Sequence, residues 1–280
     1  MKSKIVMGLI MFSLLLCLIA LSKLWPPIIS LTIIILSVFC TREIYNAIRK
    51  AGHKPIAYPL ILIIVAAYPM MYFYSLSGLI LTLLLTFLIS FLWYVFDNKR
   101  NFSDFMTTLF LAYYPCLMFM VMLFLFMEYG MLPILLAVGG AIGCDVFAYF
   151  GGSLMKGPKI YPKISPKKTI SGSITGLLGG AFGAWVMYKI FEVGNFPSHV
   201  VFRFGTIMNN PSLTYALLGL CSALFAELGD LGASKIKREV GIKDYSGALR
   251  SHGGVMDRLD SVLFSMIFIT TYMVLVYGYA

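Results

Sequence analysis

Asp145, Glu227, Asp230, Asp257 and Asp260 fall inside or at the rims of long apolar runs, and they are five of the twelve acidic residues in the chain. An Asp at the centre of a membrane helix costs about 2.5–3.5 kcal/mol on insertion scales, so an acid placed there either does chemistry or is paired at a helix end. Glu227 and Asp230 are three residues apart, as are Asp257 and Asp260, and each pair therefore shares one helix face. Two carboxylates on one face repel unless a positive charge lies between them. The five cysteines have no paired spacing, and no His-rich or Cys-rich ligand set exists. Carboxylate oxygens select a hard cation such as Mg2+, which keeps waters and takes phosphate oxygens as its remaining ligands.

Positive charge is concentrated beside these acids in two loops, residues 153–172 and 234–258. The first carries Lys156, Lys159, Lys163, Lys167 and Lys168, with prolines at 158, 162 and 166. Proline every fourth residue cannot be helix interior, so the spacing predicts an extended, ordered basic strap. The bland alternative is a basic loop that only sets topology or attracts anionic lipid. The second loop carries Lys235, Lys237, Arg238, Lys243, Arg250 and Arg258 around His252-Gly253-Gly254. A Gly-Gly step lets backbone approach a phosphate closely, and His252 and Arg258 supply donors. Asp257 and Asp260 open the last apolar run, at the helix end whose free amides favour anions and metal-bound phosphates.

The elements that hold these residues are membrane helices. The 280 residues are 60% apolar and 12% charged, against about 45–50% and about 25% in soluble domains, which excludes a water-soluble globule. The net charge of +10 in so apolar a chain points to an anionic membrane surface and not to nucleic acid. Apolar runs lie near residues 5–21, 27–40, 58–75, 78–96, 107–127, 131–150, 173–190, 212–233 and 259–277, which predicts an all-α polytopic membrane protein of about nine spans. Alternate threading puts 19 of the 22 basic residues on one side, leaving Lys23, Lys189 and Arg203 on the other. The positive-inside rule makes that side cytoplasmic, with the N-terminus inside and Ala280 outside. Residues 1–100 contribute hydrophobicity and few motifs, so the chemistry is expected in a C-terminal membrane region, 101–280.

The residues of that region resemble the phosphatidate cytidylyltransferases, also called CDP-diacylglycerol synthases. Their signature is similar to Ser234, Lys237, Arg238, Lys243, Asp244, Ser246, Leu249, His252, Gly253, Gly254, Asp257, Arg258 and Asp260 as they stand here. Asp145-Val146-Phe147-Ala148-Tyr149, Ser165-Pro166-Lys167-Lys168-Thr169 and Gly229-Asp230 match further stretches of the family. Arg250 stands where the family usually has a small residue, and Ile170-Ser171 where it usually has Trp followed by Glu or Gln. The resemblance implies transfer of a cytidylyl group from CTP to phosphatidic acid, with Mg2+ and room for a second cation, in the cytoplasmic membrane. It also implies a homodimer and an active site facing the cytoplasm. Asp230 and Asp257 are expected as principal metal ligands, supported by Asp260 and Asp145. Ser165, Lys167, Lys168, Lys237, Arg238, Lys243, His252, Gly253, Gly254 and Arg258 are expected at the phosphates. Two other classes use similar parts. A CTP-dependent lipid kinase of the dolichol or phytol type would move only the γ-phosphate, but the complete His-Gly-Gly ending argues against it. A cation-coupled transporter would carry its acids nearer the midplane, without two basic loops on one face.

Overall fold

The computed structural model describes residue 13 and residues 17–194, 210–249 and 253–278. Among these, residues 17–24 are helical and are followed by α1 (Pro27–Lys50), α2 (Ala57–Phe96) and α3 (Phe102–Leu111). A π-helical turn, Ala112–Leu117, joins α3 to α4 (Met118–Tyr129), and α5 (Met131–Met155) follows. A two-stranded antiparallel hairpin, β1 (Lys159–Tyr161) and β2 (Ser165–Thr169), precedes α6 (Ile170–Gly194), α7 (Pro211–Glu239) and α8 (Met256–Tyr277). Seven helical stretches among the described residues are long and apolar enough to cross a membrane, α3 to α4 counting as one. The chain is a multi-pass membrane protein.

Seven stretches stand where nine spans were expected, and two local facts account for the difference. The first expected span, 5–21, lies largely outside the described residues. The expected spans 58–75 and 78–96 fall within the single 40-residue helix α2, which is broken at Ser75 (φ 49°, ψ −132°). An unbroken helix of 40 residues would run about 60 Å, twice the hydrocarbon thickness of a bilayer. The backbone of Gly78 instead comes against the carbonyl of Met70, a contact that a straight helix cannot make and a Cβ would block. Beyond the break, Thr82, Thr86 and Ser90 donate to the carbonyls four residues back at 2.8, 2.8 and 2.7 Å. Buried hydroxyls in an apolar arm are thereby satisfied within their own helix.

The backbone forms two compact units, Met1–Phe124 with Val240–Arg258, and Leu125–Glu239 with Leu259–Ala280. The second basic loop thus groups with the N-terminal helices. In the first unit the turn after α1 is fastened to the start of α3: the Lys54 amide donates to Asp104 Oδ1 at 2.7 Å, and the Ile56 amide to Thr108 Oγ1 at 2.8 Å. In the second unit α5, α6 and α7 pack backbone to backbone through glycines. A methyl group added at Gly139 would stand 2.7 Å from the Gly183 carbonyl oxygen, at Gly180 3.0 Å from that of Gly219, and at Gly140 2.8 Å from the Ser222 hydroxyl. Helices in lipid gain little from hydrophobicity against one another, so close approach through small residues is what holds such a trio together.

Candidate active site

The second unit builds its polar centre from the hairpin strap and the ends of the glycine-packed helices next to it. The extended strap predicted from its prolines is β1 and β2, with Tyr161 opposite Ser165 and Lys159 opposite Thr169. Thr169 ends the strap and starts α6, its hydroxyl accepting the Gly172 amide at 3.1 Å, the helix N-cap bond. Ser171, at one of the positions that depart from the family pattern, donates to the Lys156 carbonyl and to Thr169 Oγ1. The strap is therefore tied at both ends, and Lys167 and Lys168 leave it in fixed directions.

Lys168 Nζ pairs with Asp230 Oδ2 at 2.7 Å. Burial works to lower the pKa of the Lys168 ammonium, but Asp230, then Glu227 and Asp145, outweigh it and hold the pKa above the ordinary lysine value. Glu227 and Asp230 share a helix face as expected, yet take different partners. Glu227 accepts from the Ser173 hydroxyl and, at 3.7 Å, from the Cys144 thiol. A cavity of about 190 Å3 opens here, lined by Asp145, Lys167, Lys168, Thr169, Ser173 and Glu227 among others. That is room for a few waters or part of a phosphate group.

Deeper in the same unit Lys237 Nζ stands 3.7 Å from Asp260 Oδ2, and both side chains are buried. Asp260 Oδ1 accepts the Ser261 amide at 2.8 Å, whereas Oδ2 has no hydrogen-bond partner among the described residues. Gly229 explains how α7 and α8 meet here, since a Cβ on it would come within 2.8 Å of the Asp260 carbonyl oxygen. A buried carboxylate with an orphaned oxygen, within electrostatic reach of Asp230 and Asp145, suits a cation. Among the described residues, however, no three His, Cys, Asp or Glu side chains are gathered as a ready metal cage. Asp230 spends its charge on Lys168 instead.

The first unit holds the signature loop. Asp257 Oδ2 accepts the amides of Tyr245 at 2.9 Å and Gly254 at 2.8 Å. Gly253 has φ +79°, and a Cβ on it would meet Asp257 Oδ2 at 2.9 Å. The Gly-Gly step therefore makes room for carboxylates of the chain itself. One of these, Glu43 on α1, went unnoticed in the sequence: it is buried, accepting the Ser246 hydroxyl at 2.5 Å and the amides of Val255 and Met256 at 3.0 and 2.8 Å. The available signal was an acid, flanked by Arg42, just beyond the apolar run 27–40 of the same helix. An open groove of about 680 Å3 lies between α1 and residues 245–248, with Arg42, Arg49 and Lys50 on its wall. Lys243 and Arg258 are exposed, as are Lys167 and Arg238, and Ser165 is half-buried. His252 and Arg250 lie outside the described residues.

A family model described as "Cytidylyltransferase family" matches residues 2–276. The phosphatidate cytidylyltransferase of Helicobacter pylori is 31% identical over 155 residues, 55% of this chain and 52% of that protein. That of Aquifex aeolicus is 30% identical over 171 residues, 61% of this chain and 58% of that protein. That of Bacillus subtilis is 31% identical over 143 residues, 51% of this chain and 47% of that protein. The chain thus spans about half the length of the curated relatives it matches.

Proposed function

The chain belongs to the cytidylyltransferase family, and on that premise we propose that it transfers the cytidylyl group of CTP to phosphatidic acid, leaving CDP-diacylglycerol in the membrane and releasing pyrophosphate. The observation that carries this reading is Lys168, held at 2.7 Å by Asp230 with Lys167 beside it. An ammonium balanced by carboxylates is set to exchange one of them for a phosphate oxygen. In the reaction a lipid phosphate oxygen forms a bond to the α-phosphorus in line with the bond that breaks, and the β- and γ-phosphates leave together. Such chemistry asks for no protein nucleophile. It asks that two anions be brought together and their charge neutralised, which Lys167, Lys168 and Lys237 do from the strap and from α7. Asp257 and the Asp230 carboxylate released by Lys168 are the groups assigned to Mg2+, with Asp260 and Asp145 in support. When bound, the ion supplies further positive charge to the phosphate oxygens.

The topology that serves this reaction has nine spans, the N-terminus and both basic loops cytoplasmic, and Ala280 outside. The break at Ser75 supports it by dividing α2 into arms 57–74 and 76–96, each near the length a span needs. The partners are CTP and phosphatidic acid in a homodimer at the cytoplasmic membrane, as the resemblance implies. The test uses purified protein in detergent with phosphatidic acid, Mg2+ and CTP labelled at the α-phosphorus. Labelled lipid together with pyrophosphate is expected. Label remaining in soluble CDP would instead identify a kinase, and untouched CTP would remove both readings.

A further inference from the structure

Glu43 belongs to none of the motifs that mark the signature loop, yet it holds that loop at three points. Its Oε1 accepts the Ser246 hydroxyl at 2.5 Å and the Val255 amide at 3.0 Å, and its Oε2 accepts the Met256 amide at 2.8 Å. Val255 and Met256 stand at the N-terminus of α8, where amides have no partner within the helix. A carboxylate placed there satisfies two of them and complements the positive end of the helix dipole. Position 254 shows how closely it is fitted, because a Cβ there would lie 2.8 Å from Glu43 Oε1. Only glycine leaves room for the carboxylate against the backbone.

Each bond runs from α1 to a segment more than 200 residues further along the chain. A lone acid satisfied by solvent or by a neighbouring lysine would be ordinary. A buried one spending both oxygens on one loop is a fastening. The same loop is also held by Asp257, whose Oδ2 takes the Tyr245 and Gly254 amides. We infer that Glu43 is a positioning residue for the transferase reaction: acting through Ser246, Val255 and Met256, it keeps the Gly253-Gly254 step and the start of α8 in the conformation that receives phosphate. This inference rests on the proposed cytidylyl transfer for its kinetic consequence, but not for the fastening itself.

Two measurements separate them. Hydrogen exchange on the wild-type protein in detergent reads the fastening without any substrate. The Val255 and Met256 amides are expected to be protected. In Glu43→Gln, which sets an amide donor against a backbone donor, exchange at residues 253–256 should quicken about ten- to a hundredfold while the other helices stay as protected as before. Turnover of CTP with phosphatidic acid and Mg2+ should fall about tenfold or more in kcat, since the loosened loop less often holds the conformation that receives phosphate. A merely structural residue would lower the melting temperature and loosen the whole first unit together. Should Glu43→Gln fail to fold, Glu43→Asp, which keeps the charge but withdraws it by one methylene, gives the same comparison. Val255 and Met256 amides that exchange at open-loop rates in the wild type, or a folded Glu43→Gln with wild-type kcat, would overturn the inference. A wild type that transfers no cytidylyl group while its loop amides are protected would instead overturn the proposed function and leave the fastening standing.

Discussion

The Lys168–Asp230 pair should reveal itself through an asymmetric pair of single substitutions and a double substitution that restores stability without restoring turnover. At 2.7 Å and an effective dielectric of about 20, two unit charges attract by about 6 kcal/mol before desolvation and side-chain ordering are subtracted. The side chains are 23% and 30% exposed, between the surface pairs that yield below about 1 kcal/mol and the buried pairs whose breakage costs about 3–5 kcal/mol. A net coupling of about 1–3 kcal/mol follows. Lys168→Met leaves Asp230 facing Glu227 and Asp145, the two other carboxylates that act on this lysine, without the ammonium that stands between them. Asp230→Asn leaves Lys168 with both of those carboxylates, so it should destabilise less. The double variant should be more stable than the sum of the two losses predicts, by the coupling energy. Thermal unfolding in detergent measures the cycle, and the labelled-CTP assay measures turnover on the same preparations. All three variants should lose activity about a hundredfold or more, because the proposed reaction assigns the lysine to phosphate and the carboxylate to the cation. A coupling under about 0.5 kcal/mol, or Asp230→Asn the more damaging single change, would refute the geometry. A double variant that recovers near wild-type turnover would show that the two residues serve only each other.

Thr169→Ala should cost about 1 kcal/mol by removing the cap at the start of α6, and Thr169→Ser should stay within a few tenths of the wild type; thermal melts decide it. Gly180→Leu should prevent recovery of monodisperse protein in detergent, since even a Cβ there would stand 3.0 Å from the Gly219 carbonyl oxygen. Gly232→Ala, with nothing within 4 Å of the added carbon, should melt at or slightly above the wild-type temperature. Because Lys168 has its pKa raised in the folded protein, the stability it contributes is fully present below the ordinary lysine pKa of about 10.4 and is lost as pH rises through the folded value. The difference in melting temperature between wild type and Lys168→Met should therefore hold steady from neutral pH to about 9.5 and shrink only above about 10.4.

What could be read from the sequence was whatever repeats along the chain or punctuates it. Apolar runs marked 58–75 and 78–96, and those runs are the two arms of α2; the break between them has no proline to announce it, only Ser75 in an unusual backbone conformation. Three prolines marked the strap as extended, and it is a hairpin. The i, i+3 spacing placed Glu227 and Asp230 on one face correctly. Spacing along a helix carries no information about what lies opposite, and here the strap offers a lysine to one acid while α6 and α5 offer a serine and a cysteine to the other.

Glu43 marks where such reading stops. Its partners are a serine hydroxyl and two backbone amides, and an amide has no letter in the sequence. A pair of opposite charges can be guessed from composition, whereas a carboxylate bound to main chain more than 200 residues away cannot. The same blindness affected the glycines at 253 and 254. Their freedom to approach something closely was legible, but the sequence suggested only a phosphate as that something. The neighbours present are Asp257 and Asp244 at Gly253 and Glu43 at Gly254. A backbone packed against three carboxylates is a negatively lined turn, so the phosphate-binding role proposed for this loop falls to its exposed bases, Lys243 and Arg258. The acids shape the turn, and the bases are the groups proposed to meet the substrate.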